Sequence, residues 1–176
     1  MEAVIVVNVN PWETRVAILE NGRLAELLVE REQAVVGNVY KGVVENVVPG
    51  LDAAFVDCGM ERNVFLHVAD ALEVDPLKQR NGRLPKISDV LQPGQELIVQ
   101  VTKGPIESKG ARATVRVSLP GRFVVLIKDG HGTIGISKKV EDEAERRRLR
   151  ELAQRLRPKG WGVIVRTRAQ GAGRRE

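Results

Sequence analysis

The sequence predicts a mainly β protein with one clear helix, an α+β chain, on three observations. Short apolar runs alternate with polar residues over most of its length. Glycine and proline, 17 and 8 in 176 residues, punctuate those runs. One stretch near the C-terminus instead repeats its apolar residues at helical spacing, with Leu149, Leu152, Ala153 and Leu156 in register.

Residues 1–36 hold three alternating runs, AVIVVNV, TRVAILE and RLAELLVE. Asn21-Gly22 separates the second from the third and suits a two-residue hairpin, whose central residues both need positive φ. Three antiparallel strands are expected, with Val, Ile and Leu on one face and little in the segment to cover them.

Five strand-like runs follow between Val35 and Val117: VVGNVYKGVVENVV, DAAFVDC, RNVFLHV, ELIVQVT and ARATVRVSL. Gly37 and Gly42 allow the first to bend as a strand does at a barrel corner. Pro49-Gly50 and Pro93-Gly94 mark turns. The long polar connection DPLKQRNGRLPKISDVLQPG has room for a short helix. Five strands with a long third connection fit the Greek-key barrel of the OB fold, here residues 37–117.

Residues 118–176 give strand RFVVLIK, a turn, TIGIS, the helix, and strand WGVIVRT. Glu141, Asp142, Glu143 and Glu145 lie at the helix start and Arg155 and Arg157 at its end, complementing the macrodipole. Pro158 and Gly160 stop it. Arg146, Arg147, Arg148 and Arg150 read as a solvated helix face. The tail RAQGAGRRE has no apolar pattern and is expected to be mobile unless bound.

The chain is 43% hydrophobic and 29% charged, which argues against disorder over most of its length. No apolar run reaches the ~20 residues of a membrane span, so no membrane partner is expected. The opening MEAVIVVNVN lacks a basic n-region, which reads as cytoplasmic. The single Cys58 excludes an internal disulfide and a cysteine-rich zinc site. Net charge is +5, but residues 1–36 carry −3, residues 37–116 none and residues 117–176 +8. A C-terminal third so basic suggests a polyanionic partner.

Catalytic motifs are weak. Gly130, Gly132 and Gly135 spell GHGTIG, but a dinucleotide fingerprint must open a helix within a βαβ unit, and a β-like run follows instead. His67 and His131 have no ligands at metal spacing. Asp52 with Asp57, and Asp70 with Asp75, lie in turns or at strand edges, where solvated acids are the default. Binding is better supported. Phe55 and Phe65, on the second and third barrel strands, sit where an OB face stacks bases, with burial in a core as the plain alternative. Lys103 and Lys109, in KGPIESKG, are placed to meet phosphates.

Taken together, VGNVYKGVVENVVPGLDAAFVDCGMERNVFLHVAD, GQELIVQVTKGPIESKGARATVRVSLPGRFVVL and GVIVRT resemble the N-terminal half of the ribonuclease E/G endoribonucleases. VNVNPWETRVAILENG and VERE look most like the ribonuclease G branch. The resemblance runs from about residue 4 to about residue 173. It implies that residues 1–36 begin a ribonuclease-H-like domain completed further on. Residues 37–117 would be an inserted RNA-binding OB barrel, and residues 118–176 the start of a 5′-sensor region. By the same resemblance Phe55, Phe65 and Lys109 contact RNA, Arg166 and Thr167 hold a 5′-phosphate, and Gly121 and Val125 approach that terminus through backbone.

Cys58 stands where ribonuclease E-type members have an aromatic, and Lys138 and Lys139 replace the arginine commonly found after GIS. The family's magnesium-binding aspartates and zinc-sharing cysteines have no counterpart here, so no cofactor and no catalytic residue is expected in this chain. The implied partner is single-stranded RNA, preferentially 5′-monophosphorylated, bound by a monomer whose full-length relatives are oligomers. A standalone RNA-binding regulator without 5′-end sensing, or a protein-interaction module using the N-terminal sheet, are the alternatives.

Overall fold

The computed structural model describes residues 2–30, 35–73, 84–106, 109–128 and 132–173. The chain divides into two compact units, residues 1–35 and residues 36–174.

In the first unit β1 (Ala3–Val9), β2 (Thr14–Glu20) and β3 (Arg23–Glu30) form an antiparallel sheet in chain order. Asn21 and Gly22 have φ of 51° and 75°, so the β2–β3 hairpin closes through the expected pair of positive values. The expectation of a single apolar face is corrected. Val4 and Val6 pair with Leu19 and Ala17 on one side, while Ile5 and Val7 pair with Ile18 and Val16 on the other. Val4 is 43% exposed and Ile5 66%, so apolar side chains stand on both faces.

In the second unit β4 (Val39–Val48), β5 (Ala53–Asp57), β6 (Val64–His67), β7 (Glu96–Lys103) and β8 (Arg112–Thr114) close a barrel in the order β4-β5-β6-β8-β7. Only β6 and β8 pair in parallel. This is the OB arrangement. β4 closes it by pairing with β7 up to Val43 and with β5 from Val43 on. Gly42 lies at that change of partner. A Cβ there would sit 2.5 Å from Val56 Cγ1 and 2.8 Å from both the Asp57 carbonyl oxygen and Cys58 Sγ. The crossing therefore requires glycine.

The long third connection runs from β6 to β7 through α1 (Val68–Ala71) and α2 (Ile87–Val90). Asp75 and the rest of residues 74–83 lie outside the described residues. Val44, Val56, Val64, Leu66, Val99 and Val101 fill the barrel, and Val68 and Ile87 extend the core from the helices. Each such side chain contributes roughly 1.5–3 kcal/mol on leaving water.

The fifth predicted run does not stay in the barrel. β8 ends at Thr114, where the Asp70 carbonyl accepts the Thr114 hydroxyl at 3.2 Å and the Val115 N–H at 2.9 Å. The chain turns there, and Ser118–Pro120 becomes β9 of a second sheet. That sheet also holds β10 (Val124–Ile127), β11 (Ile134–Ile136) and β12 (Gly162–Val165), in the order β11-β12-β10-β9. β11 and β12 are parallel, and α3 (Glu143–Leu156) supplies the crossover that parallel strands need.

Asp142 caps α3, its carboxylate accepting the Ala144 and Glu145 N–H groups. Leu149 and Ala153 bury against Val163, Val165, Val140 and Ala169. Leu156, placed in the apolar stripe by sequence, is instead 49% exposed at the helix end. Gly130 and His131 lie outside the described residues, and Gly135 is inside β11, so GHGTIG opens no helix.

A side-chain amide joins the barrel to this sheet. Gln100 of β7 is buried, and its Nε2 donates to the Gly37 and Ser118 carbonyls at 2.9 Å each. Its Oε1 accepts the Ser118 N–H at 2.7 Å. Every hydrogen-bonding group of the amide is thereby used within the fold, apart from one acceptor lone pair.

Two expectations about the C-terminal third are corrected. Arg146 and Arg148 are not merely solvated. Arg146 Nη1 donates to the Ser137 and Val140 carbonyls, and Arg148 Nη1 to the Ala172 carbonyl. The start of the tail is also held, because Glu145 accepts the Gly171 N–H at 2.8 Å.

Candidate nucleic-acid interface

Alternation along two barrel strands sets the first surface. Ala54 and Val56 of β5 and Val64 and Leu66 of β6 are buried, so Phe55 and Phe65 between them face outward, half-buried. They are register partners, with ring centroids 5.9 Å apart at 71°. Such an edge-to-face pair is worth about 0.5–1.5 kcal/mol beyond its buried area. It also leaves ring surface open on the outside of the barrel.

The register extends this pair into a row. Asn46 of β4 lies opposite Phe55, Arg112 of β8 opposite Phe65, and Lys103 of β7 opposite Arg112. Two aromatics are thus flanked on one side by two exposed cations. Asp70 holds Arg112 through Nε and Nη2 at 3.1 and 2.7 Å, and meets Arg116 Nη2 at 3.2 Å. That corrects the reading of Asp70 as a solvated acid. Lys109 is exposed beyond β7, where it exchanges backbone hydrogen bonds with Ile106. Beside it a groove of about 320 Å³ is lined by Met60, Glu61, Arg62, Pro105, Gly110 and Ala111.

The second surface lies at one end of the second sheet. The Arg166 N–H donates to the Phe123 carbonyl and the Ser137 N–H to the Val165 carbonyl, which brings the ends of β11 and β12 beside the start of β10. Arg166 Nη1 donates to the Gly121 carbonyl at 2.7 Å, and the Thr167 and Ser137 hydroxyl oxygens are 3.0 Å apart. Arg166, Thr167 and Gly121 therefore converge. Val125 sits further along β10, its register partners Ile164 and Pro120 rather than Arg166 or Thr167. Lys138 and Lys139 are exposed after Ser137, and Arg122 stacks over Phe123 at 4.9 Å. The carboxyl ends of parallel strands are where open α/β sheets bind ligands, and this one gathers cations and hydroxyls there.

Sequence reasoning missed Ser137 and Arg146. GIS-KK signalled only that cations follow a strand, and nothing local shows that an arginine nine residues on holds the Ser137 carbonyl.

Residues 34–116 match the S1 RNA binding domain, and residues 118–176 match the Ribonuclease E/G family. The whole chain is 41% identical over 182 residues to Ribonuclease G of Escherichia coli (strain K12), spanning 37% of that protein. The chain belongs to the ribonuclease E/G family. It is also 44% identical over 156 residues to Ribonuclease E of Nostoc sp. (strain PCC 7120), covering 88% of this chain and 22% of that protein. The solution structure of GSP13 from Bacillus subtilis overlaps 49% of this chain and 61% of its own, at a TM-score of 0.35 and 24% identity. The barrel assignment rests on strand register and not on that overlap.

Among the described residues no three His, Cys, Asp or Glu side chains come together as a metal site. Burial, reinforced by the Asp57 charge, pushes the Cys58 thiol up, which disfavours a thiolate nucleophile. His67 is absorbed structurally, its Nδ1 accepting the Ala69 N–H at the start of α1. Two hydrogen bonds from the Arg148 guanidinium and one from the Gly171 N–H hold the Glu145 carboxyl down at about 2. Among the described residues no helix is long and apolar enough to cross a membrane.

Proposed function

We propose that this chain binds single-stranded RNA and recognises a 5′-monophosphate, as the RNA-binding part of a ribonuclease G/E-type endoribonuclease of RNA processing and decay. The observation that carries the reading is the outward, register-paired Phe55 and Phe65 in a barrel that matches the S1 RNA binding domain. Bases stack on such rings whatever their sequence, and the exposed Lys103 and Lys109 would meet the phosphate backbone. At the sheet end Arg166 offers a planar guanidinium whose orientation the Gly121 carbonyl fixes, and Thr167 adds a hydroxyl. Gly121 and Val125 would approach the terminal nucleotide through backbone.

On this reading residues 1–36 begin a ribonuclease-H-like domain, residues 37–117 are the RNA-binding barrel, and residues 118–176 belong to the 5′ sensor. The chain works as a cytoplasmic monomer.

The test is fluorescence anisotropy with a short, unstructured, 3′-labelled RNA bearing either a 5′-monophosphate or a 5′-hydroxyl, at low and moderate salt. Tighter binding of the monophosphate, erased by Arg166→Ala, supports the full reading. Equal binding of both RNAs, lost only in a Phe55→Ala/Phe65→Ala double variant, removes end sensing and leaves the barrel.

A further inference from the structure

We infer that Ser137 is a positioning residue for the anion site, setting the Thr167 hydroxyl as a donor toward the incoming phosphate oxygen. The inference rests on the 5′-monophosphate reading and adds to it a direction for each proton. Ser137 Oγ receives the Lys139 backbone N–H at 3.4 Å, a long contact, but one in which the N–H can only donate. The same Oγ lies 3.0 Å from Thr167 Oγ1, where either hydroxyl has the geometry to donate. With one Ser137 lone pair facing an N–H, the arrangement that gives its proton an acceptor is donation to Thr167. The Thr167 proton then points away from Ser137 and is left for an oxyanion. The chain of donors runs from the Lys139 N–H through Ser137 to Thr167, and each bond polarises the next.

The backbone of Ser137 makes three hydrogen bonds. Its N–H donates to the Val165 carbonyl, and its carbonyl accepts the Val140 N–H at 3.1 Å and Arg146 Nη1 at 2.9 Å. The same arginine nitrogen also donates to the Val140 carbonyl at 2.8 Å. Val140 is fully buried, so the turn that carries Ser137 is anchored in the core of the sheet and α3. The hydroxyl is therefore presented to Thr167 from a fixed backbone, which limits the reorganisation needed when an anion arrives.

The test is a double-variant cycle on the intact chain, read as the ratio of affinities for the 5′-monophosphate and 5′-hydroxyl RNAs. Ser137→Ala should lower that ratio roughly three- to ten-fold, the range expected for one hydrogen bond to a charged acceptor made less well. Thr167→Val should lower it at least as much, and the double variant should be no worse than Thr167→Val alone. Ser137→Thr, which keeps the hydroxyl, should restore the ratio, and unchanged thermal melts show that the fold is intact. Additive losses, or a wild-type ratio in Ser137→Ala, overturn the role of Ser137 while leaving end sensing in place. A wild-type ratio of one overturns both.

Discussion

The Arg166 guanidinium donates to the Gly121 carbonyl at 2.7 Å, across 45 residues of sequence, and so the end of β12 is tied to the turn between β9 and β10. One of five N–H groups is spent on this tie, which fixes the plane of the rest. Arg166→Lys keeps the charge but has neither the fork nor the reach for both jobs. We expect it to lose most of the monophosphate preference, with Arg166→Ala losing roughly ten-fold or more, the scale of a charge-assisted hydrogen bond. Paired anisotropy titrations of the two RNAs measure it.

Phe55→Ala and Phe65→Ala should each weaken binding of both RNAs alike, by ~1–3 kcal/mol per lost stacking contact. Because the two rings touch, the double variant should cost less than the sum of the singles. Full additivity would show that the rings act on separate bases without shaping each other.

Gly110 is a folding constraint rather than a contact. A Cβ on it would collide with the Asn63 carbonyl oxygen, a backbone atom that cannot swing away. Gly110→Ala should therefore destabilise the barrel by about 1–3 kcal/mol, the usual range for forcing extra atoms into a packed site. A lowered midpoint with unchanged slope in urea unfolding checks it.

The Glu145 carboxyl should titrate near 2 instead of its ordinary 4.5, and the Gly171 amide resonance should follow it in an NMR pH series. A depressed folded value means stability that is present above about pH 4.5 and lost as pH falls toward 2. Glu145→Gln should accordingly melt lower than wild type at neutral pH, with the gap closing in that acid window. A gap independent of pH would place the effect in packing.

Much of this was legible in the chain. Alternation gave the eight strands expected in residues 1–117 their approximate limits, because a half-buried strand must repeat every two residues. Phe55 and Phe65 could be placed on the second and third barrel strands, but outward or core remained open there, because Ala54, Val56, Val64 and Leu66 in the opposite phase are apolar too; burial of those four settles it. What could not be read was set by distant partners. ARATVRVSL is continuous in pattern, yet the Asp70 carbonyl stops it at Thr114 and Val115 and Gln100 recruits its end into another sheet. The residues from Gln170 on look like a free tail, yet Glu145 and Arg148 reach back from α3 to Gly171 and Ala172. In each case a side-chain bond between remote segments, with no local period, decided the outcome.

The amide of Gln100 has a consequence for substrate length. It ties β7 of the barrel to β9 of the second sheet, and so helps hold the stacking row and the cationic sheet end in one body. If both touch one RNA, the molecule works as a gauge. An oligonucleotide too short to bridge the interval can satisfy one end or the other but not both, and its affinity should step up at a definite length instead of rising smoothly. Gln100→Ala would blur that step before it weakened either end.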